Sequence, residues 1–317
     1  MRSEPGGSTT WEAYCQGLEE MGPLCPNLVV VDASRSSVPD RGFVALCPDR
    51  FFPAGVSEQD LVLTAAGLAL GGKTVFASSC APFLVGRAYD QIRSAVAIPD
   101  LPVCLVTTRG GVTAGQDGAD HQMVEDLAVM RVLPHMSVLV PADGTSTRGL
   151  VRRLSRMEGP AYLRLGLCPL PSLYGPQDGE FHPGGARLLT QGDGVTLCAC
   201  GIMVHEALKA ARILQRQGIE AEVIDCYSVK PLPEQTILAS VRRTGCCVVA
   251  EEHSRIGGLG SAVAECLGRE YPVPLRFVAV EDRFGQSGMP EELQEYYGLT
   301  FRQIVGGAVQ VWAMRRR

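Results

Sequence analysis

Several side chains able to move protons or hold anions fall in one glycine-rich stretch, Arg109-Gly110-Gly111-Val112-Thr113-Ala114-Gly115-Gln116-Asp117-Gly118-Ala119-Asp120-His121-Gln122. Histidine is the side chain best suited to shuttle a proton near neutral pH, which makes His121 a candidate acid or base. The planar fork of Arg109 can grip a phosphate or carboxylate through paired hydrogen bonds. A turn-rich loop whose histidine caps a helix has the same composition. Upstream, Gly55-Val56-Ser57-Glu58-Gln59-Asp60 opens a helical pattern with Glu58 in its first turn. The helix dipole favours a carboxylate there with or without a ligand. The same position can also present a carboxyl group to a ligand nitrogen. Arg164, ending the apolar run Ala161-Tyr162-Leu163, is either a second anion anchor or a solvated strand-end charge. Phe83, ahead of Arg87-Ala88-Tyr89-Asp90-Gln91-Ile92-Arg93, can stack on a flat heterocycle or fill the core.

These residues sit on an alternating pattern of short apolar runs and longer periodic segments. Strands are expected at residues 27–32, 73–77, 103–107, 136–140 and 161–165, and helices at 57–70, 83–96 and 121–133, with another after 141–143 running through 157. Between residues 167 and 194 the chain turns rich in Pro and Gly. This places a linker at 171–193 between domains at 1–170 and 194–317. A second alternation follows, with strands at 195–200, 220–225, 246–250 and 275–280, helices at 203–217, 233–242 and 258–267, and a mixed segment at 291–314. Alternation of this kind builds an α/β fold, here two domains, each a mostly parallel sheet flanked by helices. Open sheets of this class bind ligands at the loops beyond their strands' carboxyl ends, where the glycine-rich stretch falls.

Composition narrows the functions. The chain has 317 residues, a formal net charge of -5 and no basic block apart from Arg315-Arg316-Arg317, so no positive track for nucleic acid is present. That terminal trio reads as a solvated tail. No apolar stretch reaches the ~20 residues that span a bilayer, and the first fifteen residues carry no apolar signal core. The 12 cysteines fall largely inside apolar runs, and none forms a CxxC pair. Buried thiols in a reducing cytoplasm, without zinc, is the resulting expectation.

Residues 51–60, the run Ala81-Pro82-Phe83-Leu84-Val85-Gly86-Arg87-Ala88-Tyr89-Asp90-Gln91-Ile92-Arg93 and the run Gly115-Gln116-Asp117-Gly118-Ala119-Asp120-His121-Gln122 together resemble the pyrimidine-binding domain of transketolases and deoxyxylulose-phosphate synthases. Val249-Ala250-Glu251-Glu252-His253, Gly257-Gly258-Leu259-Gly260 and Asp282-Arg283-Phe284-Gly285-Gln286-Ser287-Gly288 resemble the C-terminal domain of the same family, in the same order. The resemblance implies a transferase that moves a two-carbon ketol unit from a ketose to an aldose with thiamine diphosphate. In it, Glu58 is the catalytic glutamate that hydrogen-bonds the aminopyrimidine. Phe83, Gln59 and Arg87 belong to the cofactor's surroundings. Asp117 and His121 face the sugar, His121 with a catalytic role, Arg164 binds substrate phosphate, and Arg109 lies in the region expected to contact substrate.

The family's diphosphate and metal site needs a GDG motif followed by an asparagine. Gly192-Asp193-Gly194 lies in the linker region, and Asn27 is the sole asparagine. No metal ligand is therefore assigned here. The resemblance implies that a partner chain, the N-terminal transketolase subunit, binds Mg2+ (or Ca2+) and the diphosphate, in an alpha2beta2 heterotetramer. Four positions depart from the common family pattern: Arg109 for a histidine, Gln116 for an acid, and Asp60 and Pro53 for asparagines. Other readings are a deoxyxylulose-phosphate-synthase-like subunit, a 2-oxoacid dehydrogenase E1-beta-like subunit, and a non-catalytic paralogue that binds the partner. The run from Arg87 to Arg93 favours the transketolase side over the E1-beta side.

Overall fold

The structure, a computed structural model, describes residues 7–33, 41–175, 177–178 and 180–315. Arg316 and Arg317 of the basic tail lie outside the described residues. The chain divides into two compact units, Met1–Gly110 with Val129–His182, and Gly111–Ala128 with Pro183–Arg317.

In the first unit the strands are β1 (Leu28–Asp32), β2 (Phe51–Pro53), β3 (Thr74–Cys80), β4 (Val103–Thr108), β5 (Ser137–Leu139) and β6 (Ala161–Arg164). They lie in the order β5-β6-β4-β3-β1-β2, and their pairings are parallel. Every residue of β1, β4 and β6 is buried. That is why these strands read as continuous apolar runs rather than alternating ones: helices cover both faces of the sheet. The runs turn polar at their carboxyl ends, at Asp32, Ser78-Ser79-Cys80, Thr107-Thr108 and Arg164.

A helix over Thr10–Met21 precedes β1; Thr9 and Glu12 close a capping box at its start, and Trp11, Tyr14 and Leu18 bury its inner face. Glu58–Leu70 forms the expected helix after β2. The helix expected at 83–96 differs. Residues Pro82–Arg87 and Ile92–Ala97 are π-helical, with an α-turn at Tyr89–Gln91 between them. Wider turns of this kind change which side chains stack along a helix and recur at functional positions. The helix expected at 121–133 is also shorter, Asp126–Arg131. Ahead of it, Gly118 at φ +79° leads into a 3-10 turn at Ala119–His121, and Gln122 is extended. The Val124 carbonyl accepts Ser254 N–H at 2.6 Å, which is incompatible with continuous helical bonding through this point.

Asp143 organises the far side of this unit. It is fully buried. Its Oδ1 accepts Ser146 N–H at 2.7 Å, capping helix Gly144–Leu154, and its Oδ2 accepts Leu173 N–H at 2.9 Å and Tyr174 N–H at 3.1 Å. The Pro- and Gly-rich stretch is thus tied down where it passes this cap, and Tyr174 meets Phe181 edge-on at 5.1 Å.

The second unit holds β7 (Arg187–Leu188), β8 (Val195–Ala199), β9 (Ala221–Asp225), a short β10 (Ser228–Lys230), β11 (Cys247–Ser254) and β12 (Leu275–Val280). Its sheet runs β12-β11-β8-β9-β7, parallel except for the antiparallel β7. Amphipathic helices Met203–Arg216, Glu234–Thr244 and Leu259–Glu270 follow β8, β10 and β11. The mixed C-terminal segment resolves into helices Pro290–Tyr296 and Phe301–Met314. Gly192 and Gly194 have a structural reason. A methyl group on either would stand 2.6 Å from Glu220 backbone atoms, so the chain enters β8 through a close backbone approach.

Replacing Asp143 with Ala strands buried amide donors of two segments at once. Asp143→Ala is expected to lower the unfolding free energy by about 2–4 kcal/mol, and Asp143→Asn, which keeps an acceptor, by roughly half that, read from urea denaturation midpoints.

Candidate active site

Glu58 starts its helix yet is only 2% exposed. A buried carboxylate needs partners. Ser79, at the polar end of β3, donates to Oε1 at 3.1 Å, and Arg87 pairs with Oε2 at 3.0 Å. Arg87 also lies over the Phe83 ring, 4.8 Å from its centroid, and its carbonyl accepts Gln59 Nε2 at 3.3 Å. Glu58, Gln59, Phe83 and Arg87, four residues singled out in the sequence, therefore gather in one place. The π-helical turn carries both Phe83 and Arg87.

Four neighbours were not singled out as site residues. Ser79 holds Glu58. On the opposite face of β3, Ser78 donates to Oδ2 of buried Asp32 at 2.5 Å. Cys80 ends the strand, and burial pushes its thiol up from its ordinary value while the Arg109 guanidinium draws it partly back. The signal for all four was available: a polar cluster closing an apolar strand, and the carboxylate ending Leu28–Asp32.

Arg109 and Arg164 stand at the carboxyl ends of adjacent strands β4 and β6, where Thr107 is the register partner of Arg164. Arg164 is 5% exposed and so is no solvated strand-end charge. Arg109 has φ +66°, the left-handed region, which a non-glycine residue occupies at a cost of about 1–3 kcal/mol, as Asp100 and His135 also do in this chain. Asp117 and His121 belong to the other unit. They lie on consecutive 3-10 turns, Gly115–Asp117 and Ala119–His121, joined by Gly118.

A dry carboxylate beside a half-exposed aromatic ring suits the hydrogen-bonding edge and flat face of an aminopyrimidine. The residues present thus fit the pyrimidine half of thiamine diphosphate. Arg87, whose side chain is 51% exposed, covers the ring and the carboxylate that such a group would share.

Residues 7–166 match the transketolase pyrimidine binding domain, and residues 184–304 match the transketolase C-terminal domain. The putative transketolase C-terminal section of Methanocaldococcus jannaschii is 42% identical over 92% of this chain and 93% of its own length. The 6-deoxy-6-sulfo-D-fructose transketolase subunit of Clostridium sp. (strain MSTE9) is 41% identical over 95% of this chain and 93% of its own. A solved structure of a split gene transketolase, described as an inactive beta4 tetramer, superposes with a TM-score of 0.92 at 45% identity, covering 98% of this chain and 100% of that one. The fold and these matches define a two-domain α/β protein of the transferase class that uses pyrimidine-binding and C-terminal transketolase modules. The chain belongs to the transketolase family. Among the described residues no helix is long and apolar enough to cross a membrane.

Because Arg109 opposes the effect of burial on Cys80, removing its charge should raise the Cys80 thiol further. Arg109→Met, which keeps the bulk, is expected to slow iodoacetamide alkylation of Cys80 at pH 8.5, read by mass spectrometry of its peptide. Unchanged or faster alkylation would refute this electrostatic link.

Proposed function

We propose that this chain is one subunit of a two-chain, thiamine-diphosphate-dependent transketolase that moves a two-carbon ketol unit from a ketose to an aldose, with phosphorylated sugars as substrates. The observation that carries the reading is the buried Glu58 carboxylate, held by Ser79 and Arg87 beside Phe83. It occurs in a chain that aligns end to end with a split gene transketolase. Residues 1–170 supply the pyrimidine-binding domain, 194–317 the C-terminal domain, and 171–193 the connection.

Glu58 accepts a hydrogen bond from the aminopyrimidine, and Ser79 and Arg87 keep its carboxylate oriented. Phe83 offers the stacking face, and Gln59 braces the Arg87 backbone. When bound, thiamine diphosphate supplies a nucleophilic carbon and an electron sink for the ketol unit. Asp117 bonds a sugar hydroxyl. His121 holds or moves a proton at the substrate oxygen. Arg164 and Arg109 grip the phosphate, and Arg109, in place of a histidine, shifts the choice of donor toward more anionic ketoses.

A separate N-terminal transketolase subunit binds the diphosphate with Mg2+ or Ca2+, in an alpha2beta2 heterotetramer. The description of the 45%-identical split gene protein as an inactive beta4 tetramer supports this. The 12 cysteines, recorded as free thiols, favour a cytoplasmic setting.

The test is co-purification with a candidate N-terminal transketolase subunit, then ketol transfer with thiamine diphosphate and Mg2+. Transfer should require both chains, and Glu58→Ala should lower turnover by roughly 10²–10⁴-fold. Arg109→His should move the donor profile toward less anionic ketoses. A complex that loads cofactor but transfers no ketol unit from sugar phosphates would refute the substrate assignment. Release of carbon dioxide from pyruvate would favour the E1-beta-like reading.

A further inference from the structure

The pairing of β11 with β12 slips where β11 nears its end: Ala250 faces Val278, but Ser254 faces Val280. Between those pairs β11 has more residues than its partner strand, as in a bulge, and bulges re-aim side chains. The three residues in the slip are Glu251, Glu252 and His253, all buried. Each accepts hydrogen bonds from backbone amides. Glu251 receives Leu259 N–H at 2.7 Å and Gly260 N–H at 2.8 Å, capping the helix that follows. The other two turn to the stretch that carries Asp117 and His121. Glu252 Oε1 accepts Val112 N–H at 2.8 Å and Thr113 N–H at 2.7 Å. His253 Nε2 accepts Ala128 N–H at 3.3 Å, while Nδ1 lies 2.7 Å from Ser254 O, which fixes Nδ1 as the protonated nitrogen. Ser254 N–H then donates to Val124 O at 2.6 Å.

Consecutive residues of one strand thus hold both ends of the stretch 112–128. The middle is held by Gln122, whose Nε2 donates to Gly115 O at 3.0 Å and to Gln286 O at 2.9 Å. Glycines allow the close fit. A methyl group on Gly285 would run into Gln122 Oε1, one on Gly118 would stand 2.7 Å from Ser287 Oγ, and one on Gly257 2.5 Å from Ala128 Cβ. Of these contacts only the one at Glu252 pairs a carboxylate with two successive amides at the loop's start. Charge-assisted bonds of that kind are roughly twice as strong as neutral ones.

We propose that Glu252 is a positioning residue for ketol transfer: its carboxylate anchors the loop that presents Asp117 and His121, and so sets their placement against the sugar. The catalytic half of this rests on the role given to His121 under Proposed function; the anchoring does not. Glu252 thereby acts on substrate binding indirectly, through the loop it holds.

The experiment uses the complex with the N-terminal subunit and compares wild type, Glu252→Ala, Glu252→Gln and Gly285→Ala. Glu252→Gln keeps an acceptor oxygen and serves as the conservative rescue. Gly285→Ala displaces Gln122 and loosens the same loop from its other side. Hydrogen exchange read by mass spectrometry over 112–124 should quicken about tenfold or more in Glu252→Ala and stay near wild type in Glu252→Gln. Ketol transfer should show the donor KM raised about tenfold in Glu252→Ala and Gly285→Ala, with half-saturation by thiamine diphosphate unchanged. Unchanged exchange in Glu252→Ala overturns the anchoring. Faster exchange with an unchanged KM, or equal loss of donor and cofactor affinity, overturns the positioning role. If the wild-type complex transfers no ketol unit, the proposed reaction fails and takes the positioning role with it, while exchange alone decides the anchoring.

Discussion

A carboxylate removed from water has to be compensated by donors on the protein, and in the first unit that requirement falls on Glu58. The compensation dictates much of what surrounds it. Ser79 must stand at the last turn of a strand that is otherwise apolar, because only the carboxyl end of a sheet covered on both faces opens toward a ligand. Arg87 must come from the next element, and the π-helical turn over Pro82–Arg87 brings it within 3.0 Å while setting it over Phe83. The pair is half-open: the glutamate is 2% exposed and the arginine side chain 51%. The carboxylate is thus held from inside by Ser79 and from the solvent side by Arg87, which is the side a ligand would approach.

The architecture was legible because parallel strands buried on both faces leave a strong mark in sequence. Leu28–Asp32, Val103–Thr108 and Val195–Ala199 stood out as apolar runs of strand length, and the helices between them as periodic ones. Elements without that mark were missed. The helix Thr10–Met21 hides in a stretch whose polar residues obscure its buried stripe of Trp11, Tyr14 and Leu18. β3 was read short because Ser78, Ser79 and Cys80 resemble the start of a loop, although they are the polar edge that the site needs. The helix expected at 121–133 starts late for a tertiary reason: its first residues follow the right pattern, but the Val124 carbonyl is engaged by Ser254 of β11 and the Met123 carbonyl by Gly111. Periodicity records what a segment can do alone and is blind to a partner strand more than a hundred residues away.

Site residues were legible in type but not in their support. Glu58, Phe83 and Arg87 were recognisable from the motif they share with a family, and the structure gathers them. Ser79 and Asp32 carry no motif of their own, and Glu252, although part of a recognisable run, carries nothing in sequence that says which amides it meets. Arg109 illustrates the opposite limit. Its side chain advertised an anion site, but the positive φ that bends the chain at the end of β4 is visible only in three dimensions.

The glycines of the second unit have their cause in the same acids. Methyl groups on Gly258 and Gly260 would crowd the Glu251 carboxylate out of its seat at the helix start. Gly257, at φ +87°, turns the chain against Ala128. The run Glu251-Glu252-His253 and the run Gly257-Gly258-Leu259-Gly260 are therefore one device, in which a slipped strand supplies the acceptors and the glycines clear the space for them. Within the slip, adjacent glutamates are kept apart in function by where they point, one to its own helix and one to the loop. Two acids side by side in a dry strand are tolerable only because each is met by a separate pair of backbone amides, and that arrangement ties the Asp117 and His121 loop to the second unit.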